Sequence, residues 1–351
     1  MALSLCSCAV LLASCRASAD TRTGQADGYG GILRVQVMME DAARTPLKAM
    51  VTTPSCVPAV PGFEDTGAAV GPAEIADSMT WDGVVGLGEM MNFPGILAGT
   101  DHAHGEVAAT LSADKVVTGH YSIPETDQGL NAYVASGVRC CHESTRAEDA
   151  LAKMRLGQYA QLRYGSAWLD LPNLAAAITE TDIDTRFANL ISDDTHPHTL
   201  VANGHLDYIL RKAVECGIDV VRAIQMMTIN TATCFRMDNE LGSITPGKCA
   251  DIVFLDNLED LNVTRVLIDG DVVAENVHLP ACALRIPGLG DPLHAFGARH
   301  HSRDVPCGSA SRRRRRRCGM RARHRGAARI GARPRGSRRA HRGGRRLGKR
   351  P

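Results

Sequence analysis

Short apolar runs alternate with segments of helical periodicity between about residues 28 and 240. Four of these runs are too short for helices and fit buried strands. They lie at residues 84–87, 116–117, 137–138 and 188–191. This strand–helix alternation predicts an α/β fold, in which helical crossovers join a parallel sheet. A repeat of roughly 20 to 50 residues favours a TIM-type (β/α)8 barrel.

Three amphipathic segments carry helix signals. Thr145 and Glu148 form a capping-box pattern, which predicts a helix that begins at Thr145. A second helix is predicted over residues 206–217, where apolar residues recur at helical spacing up to a glycine. A third is predicted over residues 220–235, with its apolar residues on one face. We expect these helices to cover the sheet.

The same pattern divides the chain into four parts. Residues 28–240 predict the barrel, and the short strands and turns of residues 241–276 predict the start of a small β-domain. Residues 1–27 are of uncertain status, because they superficially resemble a secretory signal but lack a basic segment before the apolar stretch. Residues 277–351 lose all periodicity, which predicts a divergent, disordered tail rich in Arg.

Charge is distributed unevenly along the chain, although the net charge is only +2. Of the 40 Lys and Arg, 21 lie from Arg299 onward, against one of the 38 acids, Asp304. The tail could be a nucleic-acid-binding arm, a solvated segment, or the product of translation in the wrong frame. We favour the wrong frame and expect no nucleic-acid partner.

The 12 Cys are scattered through apolar or strand-like segments at no metal-site spacing. In a chain of 351 residues this pattern favours buried, reduced thiols over a disulfide framework. No apolar run approaches the roughly 20 residues that a membrane-spanning helix needs. We therefore expect a cytoplasmic protein without a membrane partner.

Polar residues follow each of the four predicted strands. Glu89 follows the first, His120 the second and His142 the third, and Asp193 with Asp194 follows the fourth. Because the carboxyl ends of barrel strands converge on the face that carries active sites, these side chains are candidates to meet in space. Imidazole and carboxylate ligands suit Zn, Mn or Fe. A bound metal makes water nucleophilic near neutral pH, and a neighbouring carboxylate can pass the water's proton to a leaving amine.

Each of these residues also has a structural interpretation. A single His after a strand is commonly a loop residue, Glu89 could cap a helix, and the two Asp could form a turn or a helix cap. The shared position of all of them in successive strand–helix units is harder to explain in this way. The pattern therefore leaves a metal-dependent hydrolase and a purely structural origin both open.

Several longer segments resemble the adenine deaminase family of metal-dependent amidohydrolases. They are SCVPA at 55–59, GFEDTGA at 62–68, GLGEMMNFPG at 86–95, LNAYVASGV at 130–138, SDDTHP at 192–197, GHLDYILRKAV at 204–214 and AIQMMTINTA at 223–232. GSITPGKCADIVFLD at 242–256 looks like the amidohydrolase return into a small β-domain. The similarity covers about residues 28–276.

The resemblance implies hydrolysis of adenine to hypoxanthine and ammonia, in purine salvage, at a two-metal centre that usually holds Mn or Fe. It implies that Glu89 is a catalytic carboxylate that bridges the two metals, and that His120 and His142 are imidazole ligands of the second metal. Asp193 would be the metal-binding and catalytic carboxylate at a strand end, with Asp194 as the competing assignment.

The same analogy places Met90, Asn92 and His205 near the substrate pocket. The implied partner is a small molecule, adenine, and the family allows a homo-oligomer.

The chain departs from the family pattern at several points. The family's first strand carries an H-x-H pair of metal ligands, but no His precedes His102 here. The resemblance therefore implies an incomplete barrel that lacks its first strands. Cys141 stands where the family usually has Asp, and Tyr164 where it has Glu. We interpret His102 and His104 as loop residues that do not replace the missing pair.

Two alternatives remain beside an adenine deaminase. One is a cyclic amidohydrolase that acts on a hydantoin-like or dihydropyrimidine-like ring; such enzymes commonly bridge their metals with a carboxylated Lys, a role that Glu89 takes here. The other is an inactive fragment or a binding protein that keeps the pocket without the metal pair.

Overall fold

A seven-stranded parallel sheet forms the centre of the protein in the computed structural model, which describes residues 2–3, 10–11, 29–59, 62–64 and 67–276. Its strands follow one another in chain order from β2 to β8, and each pairs in parallel with the next. They are β2 (Val10–Leu11), β3 (Met50–Pro54), β4 (Val84–Met90), β5 (Val116–Gly119), β6 (Val138–Cys141), β7 (Tyr159–Arg163) and β8 (Ala188–Ile191).

A smaller antiparallel sheet has the strand order β1-β9-β10-β11. Its strands are β1 (Ala2–Leu3), β9 (Ile252–Leu255), β10 (Val263–Ile268) and β11 (Asp271–Glu275). Three of them come from the region where the sequence predicts the start of a small β-domain. The division of the chain into domains remains a prediction.

Helices connect the strands of the parallel sheet, and further helices follow its last strand, β8. They are α1 (Tyr29–Ala42), α2 (Pro72–Ser78), α3 (Phe93–Ala98), α4 (Asp101–Ser112), α5 (Gln128–Ala135), α6 (Ala147–Arg155), α7 (Leu171–Leu174), α8 (Ala176–Thr179), a 3-10 helix (Thr185–Phe187), α9 (Pro197–Asn203), α10 (Leu206–Glu215), α11 (Val220–Met227) and α12 (Ile229–Cys234). None of the helices in the described ranges combines the length and the apolar character that a membrane span requires.

Both faces of the parallel sheet are buried. Val117 and Cys141 pack into the cluster that contains the helices α2, α4 and α5, whereas their neighbours Val116 and Cys140 pack with Phe235 on the other side. This alternation follows from the two-residue period of a strand, and burial on both faces explains why these strands read as continuous apolar runs.

The fold class predicted from the sequence is confirmed. The described part of the molecule is an incomplete (β/α)8 barrel of the TIM type, with part of a small β-domain. The four predicted strands lie at β4, β5, β6 and β8, and the helix predicted over residues 206–217 is α10. The Arg-rich tail and residues 12–28 fall outside the described residues. Among the Cys of the described residues, Cys140, Cys141 and Cys234 are buried free thiols.

The predicted capping box of α6 is wrong by one residue. The N-cap is Arg146, and the side chain at the third helical position belongs to Asp149. Asp149 Oδ2 accepts the backbone N–H of Arg146 at 3.3 Å and also pairs with the Arg146 guanidinium. Asp149 thus satisfies the N-terminal donor that the sequence pattern assigned to Glu148.

The helix predicted over residues 220–235 is two helices. Thr228 lies between α11 and α12 with φ −114° and ψ −92°, outside the helical region. Its hydroxyl donates to Ile224 O at 2.7 Å. Such bonding of Thr to the preceding turn competes with regular helix geometry, which explains the break.

The interpretation of His102 and His104 as loop residues is also wrong. Both lie in α4, where His102 Nε2 is 3.5 Å from Glu106 Oε1 and His104 Nε2 is 2.9 Å from Ile96 O. Residues two positions apart in a helix point in different directions, so His102 and His104 do not bind one metal ion together.

Candidate metal centre

Three neighbouring strands bring the first three predicted ligands together. Glu89 is the penultimate residue of β4, His120 follows β5 and His142 follows β6. Because β4, β5 and β6 pair in parallel, their carboxyl ends lie side by side at one edge of the sheet. The structure therefore brings these three side chains together, and their role as metal ligands remains a prediction.

The side chains of Glu89, His120 and His142, here called the ligand triad, converge on one point. Glu89 Oε2 lies 3.2 Å from His120 Nδ1 and 3.1 Å from His142 Nε2, and the two nitrogens are 3.1 Å apart. An ion with ligand distances of about 2.1 Å has neighbouring ligands roughly 3.0 Å apart in an octahedron and roughly 3.4 Å apart in a tetrahedron. The triad therefore fits three positions around one divalent ion.

Side chains behind the strands fix the backbone of the triad. Thr118 Oγ1 accepts the N–H of Glu89 at 2.9 Å and donates to Leu87 O at 3.0 Å, across a register shift between β4 and β5. Tyr133 Oη accepts the N–H of His120 at 3.0 Å and donates to Met90 O at 2.6 Å. Two buried hydroxyls thus tie the end of β4 to the end of β5.

A glycine allows the strands to approach each other closely at this edge. A Cβ at Gly86 would lie 2.0 Å from Val116 O, so any other residue would force β4 and β5 apart. That separation would spread the triad as well.

The triad carries a strongly perturbed carboxylate. Burial alone would raise the pKa of Glu89, but hydrogen bonds and charge from His120 and His142 outweigh burial and lower it to about 2. Glu89 is therefore ionised throughout the neutral range, as a metal ligand must be. His142 is almost fully buried, and its Nδ1 has no hydrogen-bond partner among the described residues.

A second group of charged side chains borders the triad. Glu143 Oε1 lies 3.8 Å from His120 Nε2 and 3.6 Å from His142 Nε2. Arg163, the last residue of β7, pairs with Glu143 and donates to Asp193 Oδ2 at 3.0 Å. Ligand atoms of His142, Glu143 and Asp193 all lie within 4.8 Å of one another. Asp193 thus stands beside the triad.

Glu143 is held in its ionised form. Burial raises the pKa of Glu143, but the nearby His120, His142 and Arg163 lower it below its ordinary value overall.

Asp193 and Asp194 face different surroundings. Asp193 has φ +60°, a left-handed conformation that costs free energy for a residue with a Cβ and that recurs at functional sites. Asp194 instead lies 3.8 Å from His196 Nε2 and accepts the N–H of Ala167 at 3.5 Å. Of the two acids, Asp193 is the one that reaches Arg163 and the neighbourhood of the triad.

A family model for amidohydrolases matches residues 14–273 of the chain. The chain belongs to the amidohydrolase family. Its sequence is 69% identical over 245 residues to a protein named adenine deaminase from Clostridium botulinum, strain ATCC 19397, and 52% identical over 257 residues to one of the same name from Moorella thermoacetica. The alignments cover 70% and 72% of this chain. The resemblance noted from the sequence is confirmed.

This amidohydrolase spans less than half the length of the curated relatives it matches, 41% of the Clostridium protein and 43% of the Moorella protein. Its fold is similar to a crystal structure of β-aspartyl dipeptidase from Fervidobacterium islandicum AW-1. The TM-score is 0.52 at 14% identity, over 71% of each chain. At that identity the likeness concerns the fold.

The three residues predicted near the substrate have structural contacts in the amidohydrolase. The Met90 side chain is fully buried in the core, and Asn92 Oδ1 accepts the N–H of Gly95 at 2.9 Å and caps α3. His205 Nε2 is 3.1 Å from Ser192 Oγ, and burial lowers the pKa of His205 below its ordinary value. A direct contact of any of them with substrate remains a prediction.

Cys141 and Tyr164, which depart from the family pattern, each contact neighbouring side chains or backbone. Cys141 is fully buried, and its Sγ accepts the N–H of Tyr121 at 3.2 Å, so the thiol satisfies a backbone donor beside His142. Tyr164 packs against Tyr208 with ring centroids 5.7 Å apart. It does not enter the triad.

Sequence reasoning missed Glu143, Arg163 and Asp170 of this amidohydrolase. Glu143 directly follows His142, so the strand-end argument could have included it. Arg163 ends β7, a strand that was not predicted because its sequence, YAQLR, is not an apolar run. Asp170 lies in the following loop and becomes visible only through its contact with Arg163.

Proposed function

We propose that this amidohydrolase is an adenine deaminase, which converts adenine and water to hypoxanthine and ammonia. The observation that carries the proposal is the convergence of Glu89, His120 and His142 at the strand-end edge. The choice of adenine as substrate is supported by the adenine deaminases of Clostridium and Moorella, which share half or more of the aligned residues. The geometry supports hydrolysis in general, and the relatives support adenine in particular.

The ligand triad would hold a divalent metal through two imidazole nitrogens and one carboxylate oxygen. We propose manganese or iron, and the same donor set also suits zinc. When bound, the ion lowers the pKa of a water molecule, so that a nucleophile forms at neutral pH. Glu89 arrives ionised for this role, since its pKa lies at about 2.

Asp193 is proposed as the group that moves protons. Arg163 donates to Asp193 Oδ2, which leaves Oδ1 to accept the proton of the attacking water and to deliver it to the departing amine. The guanidinium also holds the Asp193 carboxylate in place beside the triad. Asp194, turned toward His196, is the less favoured assignment.

The remaining parts of the proposal concern the surroundings of the reaction. Met90, Asn92 and His205 would shape the pocket, with the partly buried His205, whose pKa is lowered by burial, available for a hydrogen bond to a polar ring atom. The partner would be the small molecule alone. The free thiols among the described Cys agree with a cytoplasmic location.

The test is ammonia release from adenine by the full chain in the presence of manganese. Replacing the carboxylate in Glu89→Gln is expected to lower kcat by about 10³-fold or more, because an amide cannot supply an anionic ligand.

Glu106→Gln is the matched control, since Glu106 is buried outside the metal centre and its pKa of about 8 keeps it mostly neutral already. The control should keep wild-type turnover. Undiminished activity of the Glu89 variant would exclude Glu89 from the site, and no ammonia from the wild-type chain would overturn the proposed reaction.

A further inference from the structure

Arg163 is the most completely enclosed charged side chain near the metal centre. Its side chain is only 2% exposed, and its guanidinium contacts three carboxylates. Nε donates to Asp170 Oδ2 at 2.7 Å, Nη1 donates to Asp193 Oδ2 at 3.0 Å, and both Nη1 and Nη2 point at Glu143. Burying a cation costs desolvation free energy, so its position beside three carboxylates points to a role beyond stability.

The Nε side and the Nη side of the Arg163 guanidinium make different contacts. Asp170 holds the Nε end, and the guanidinium lies 4.8 Å from the centre of the Trp168 ring, so its orientation is fixed from the edge and from the face. The Nη end is then aimed at Glu143 and Asp193. Those are the two carboxylates that stand beside the ligand triad.

The charges of the surrounding carboxylates explain why a guanidinium lies between Glu143 and Asp193. Glu143 and Asp193 would repel each other and Glu89 in a partly buried site, and each could draw a cation away from the triad. One planar guanidinium can satisfy both carboxylates at once, since its N–H groups form a rigid fork. A Lys ammonium in the same place is a point charge without that fork.

We propose that Arg163 is a positioning residue, which holds Glu143 and Asp193 in fixed places beside the ligand triad. The proposal rests on the proposed function, because the carboxylates matter only if the triad binds a metal. Asp170 and Trp168 support the guanidinium from outside the site. Arg163 therefore acts through other side chains and does not touch the reacting atoms.

Two variants of the full chain, Arg163→Gln and Arg163→Lys, test the proposal with two independent measurements. Manganese affinity, followed by electron paramagnetic resonance of free Mn²⁺, should fall by about 10- to 100-fold in Arg163→Gln, as for other residues that support metal ligands. In adenine hydrolysis, kcat should fall by about 10²-fold with KM changed less than about threefold, because positioning acts on the transition state. Arg163→Lys should recover part of both losses.

Arg139→Lys is the matched control. Arg139 is a partly buried arginine whose guanidinium donates to the backbone carbonyls of Thr233 and Cys234 and lies 5.4 Å from the centre of the Tyr159 ring. Its replacement should leave manganese affinity and kcat unchanged. If Arg163→Gln does not fold, Asp170→Asn keeps the arginine but removes its anchor, and it should lower manganese affinity by several-fold.

The outcomes separate this inference from the proposed function. Wild-type manganese affinity in Arg163→Gln, or in Asp170→Asn where the first variant does not fold, would overturn the role of Arg163. The role would also be overturned if Arg163→Gln and Arg163→Lys lost manganese affinity and kcat equally, lost thermal stability as well, and if Arg139→Lys showed the same losses. That result would indicate a purely structural arginine. A wild-type chain that binds manganese but releases no ammonia would reject the deaminase reaction and leave the manganese test of Arg163 valid.

Discussion

Glu89, which is partly buried, and Glu106, which is fully buried, have opposite electrostatic surroundings. Glu89 has a pKa of about 2, because His120 and His142 outweigh the effect of burial. Glu106 is 1% exposed in α4, burial raises its pKa to about 8, and its Oε1 has no hydrogen-bond partner among the described residues. Neighbouring donors therefore decide which acid is charged at neutral pH.

Glu106 should make stability depend on pH. The unfolded chain ionises this carboxyl above the ordinary glutamate pKa of 4.5, whereas the folded chain keeps the proton up to about 8. The native state then binds more protons in this window, so the free energy of unfolding falls as pH rises from about 4.5 to 8. We expect Glu106→Gln to stabilise the protein at pH 8.5 by about 1–4 kcal/mol and to change little at pH 5.

Urea unfolding at pH 5 and pH 8.5 measures this difference. Glu180→Gln, a change at an exposed acid, is the control and should behave like wild type at both pH values. The same stability change at both pH values would show that Glu106 is not protonated in the native state.

At the level of secondary structure, the ends of strands explain both what the sequence predicts and what it misses. β4, β5 and β6 each contain a short apolar run, so Glu89, His120 and His142 can be recognised by their position after these runs. In β7, by contrast, all five residues are buried although Gln161 and Arg163 are polar. Their burial depends on tertiary partners, such as the three carboxylates around Arg163, and local periodicity contains no record of those partners.

The two sheets are joined by a partly buried group of charges at Lys48, two residues before β3. Lys48 Nζ donates to both carboxylate oxygens of Asp251 at 2.9 Å and to Asp269 Oδ1 at 2.6 Å. Asp251 directly precedes β9, and Asp269 directly follows β10. Burial alone would lower the pKa of Lys48, but the hydrogen bonds to Asp269 and Asp251 outweigh it and raise the pKa. Asp251 itself is only 2% exposed.

Removing this cation should destabilise the protein strongly. Lys48→Met removes the cation that pairs with the buried Asp251 carboxylate, and we expect the free energy of unfolding to fall by about 3 kcal/mol. Lys212→Met is the control, because the Lys212–Glu215 pair lies at the surface on α10 and should contribute little to stability. Denaturant unfolding of both variants provides the comparison. Equal effects would mean that Lys48 does not link the two sheets.

For the whole molecule, the sequence could predict the fold class and the family, because strand–helix alternation and the long motifs extend over most of the described residues. It could not predict how loops add to the site. Asp170 and Trp168 fix Arg163 from a connection without regular periodicity, and Thr228 breaks a helix that the apolar pattern had predicted as continuous. The first feature arises from side-chain contacts within an irregular connection, and the second from a side-chain bond to the backbone.

A crystal structure of the chain soaked in Mn²⁺, with anomalous diffraction data, tests the central claim most directly. We predict an anomalous peak about 2.0–2.3 Å from Glu89 Oε2, His120 Nδ1 and His142 Nε2, and no peak at this position in Glu89→Gln crystals soaked in the same way. A manganese ion bound elsewhere, or a triad that stays empty at saturating Mn²⁺, would contradict the account.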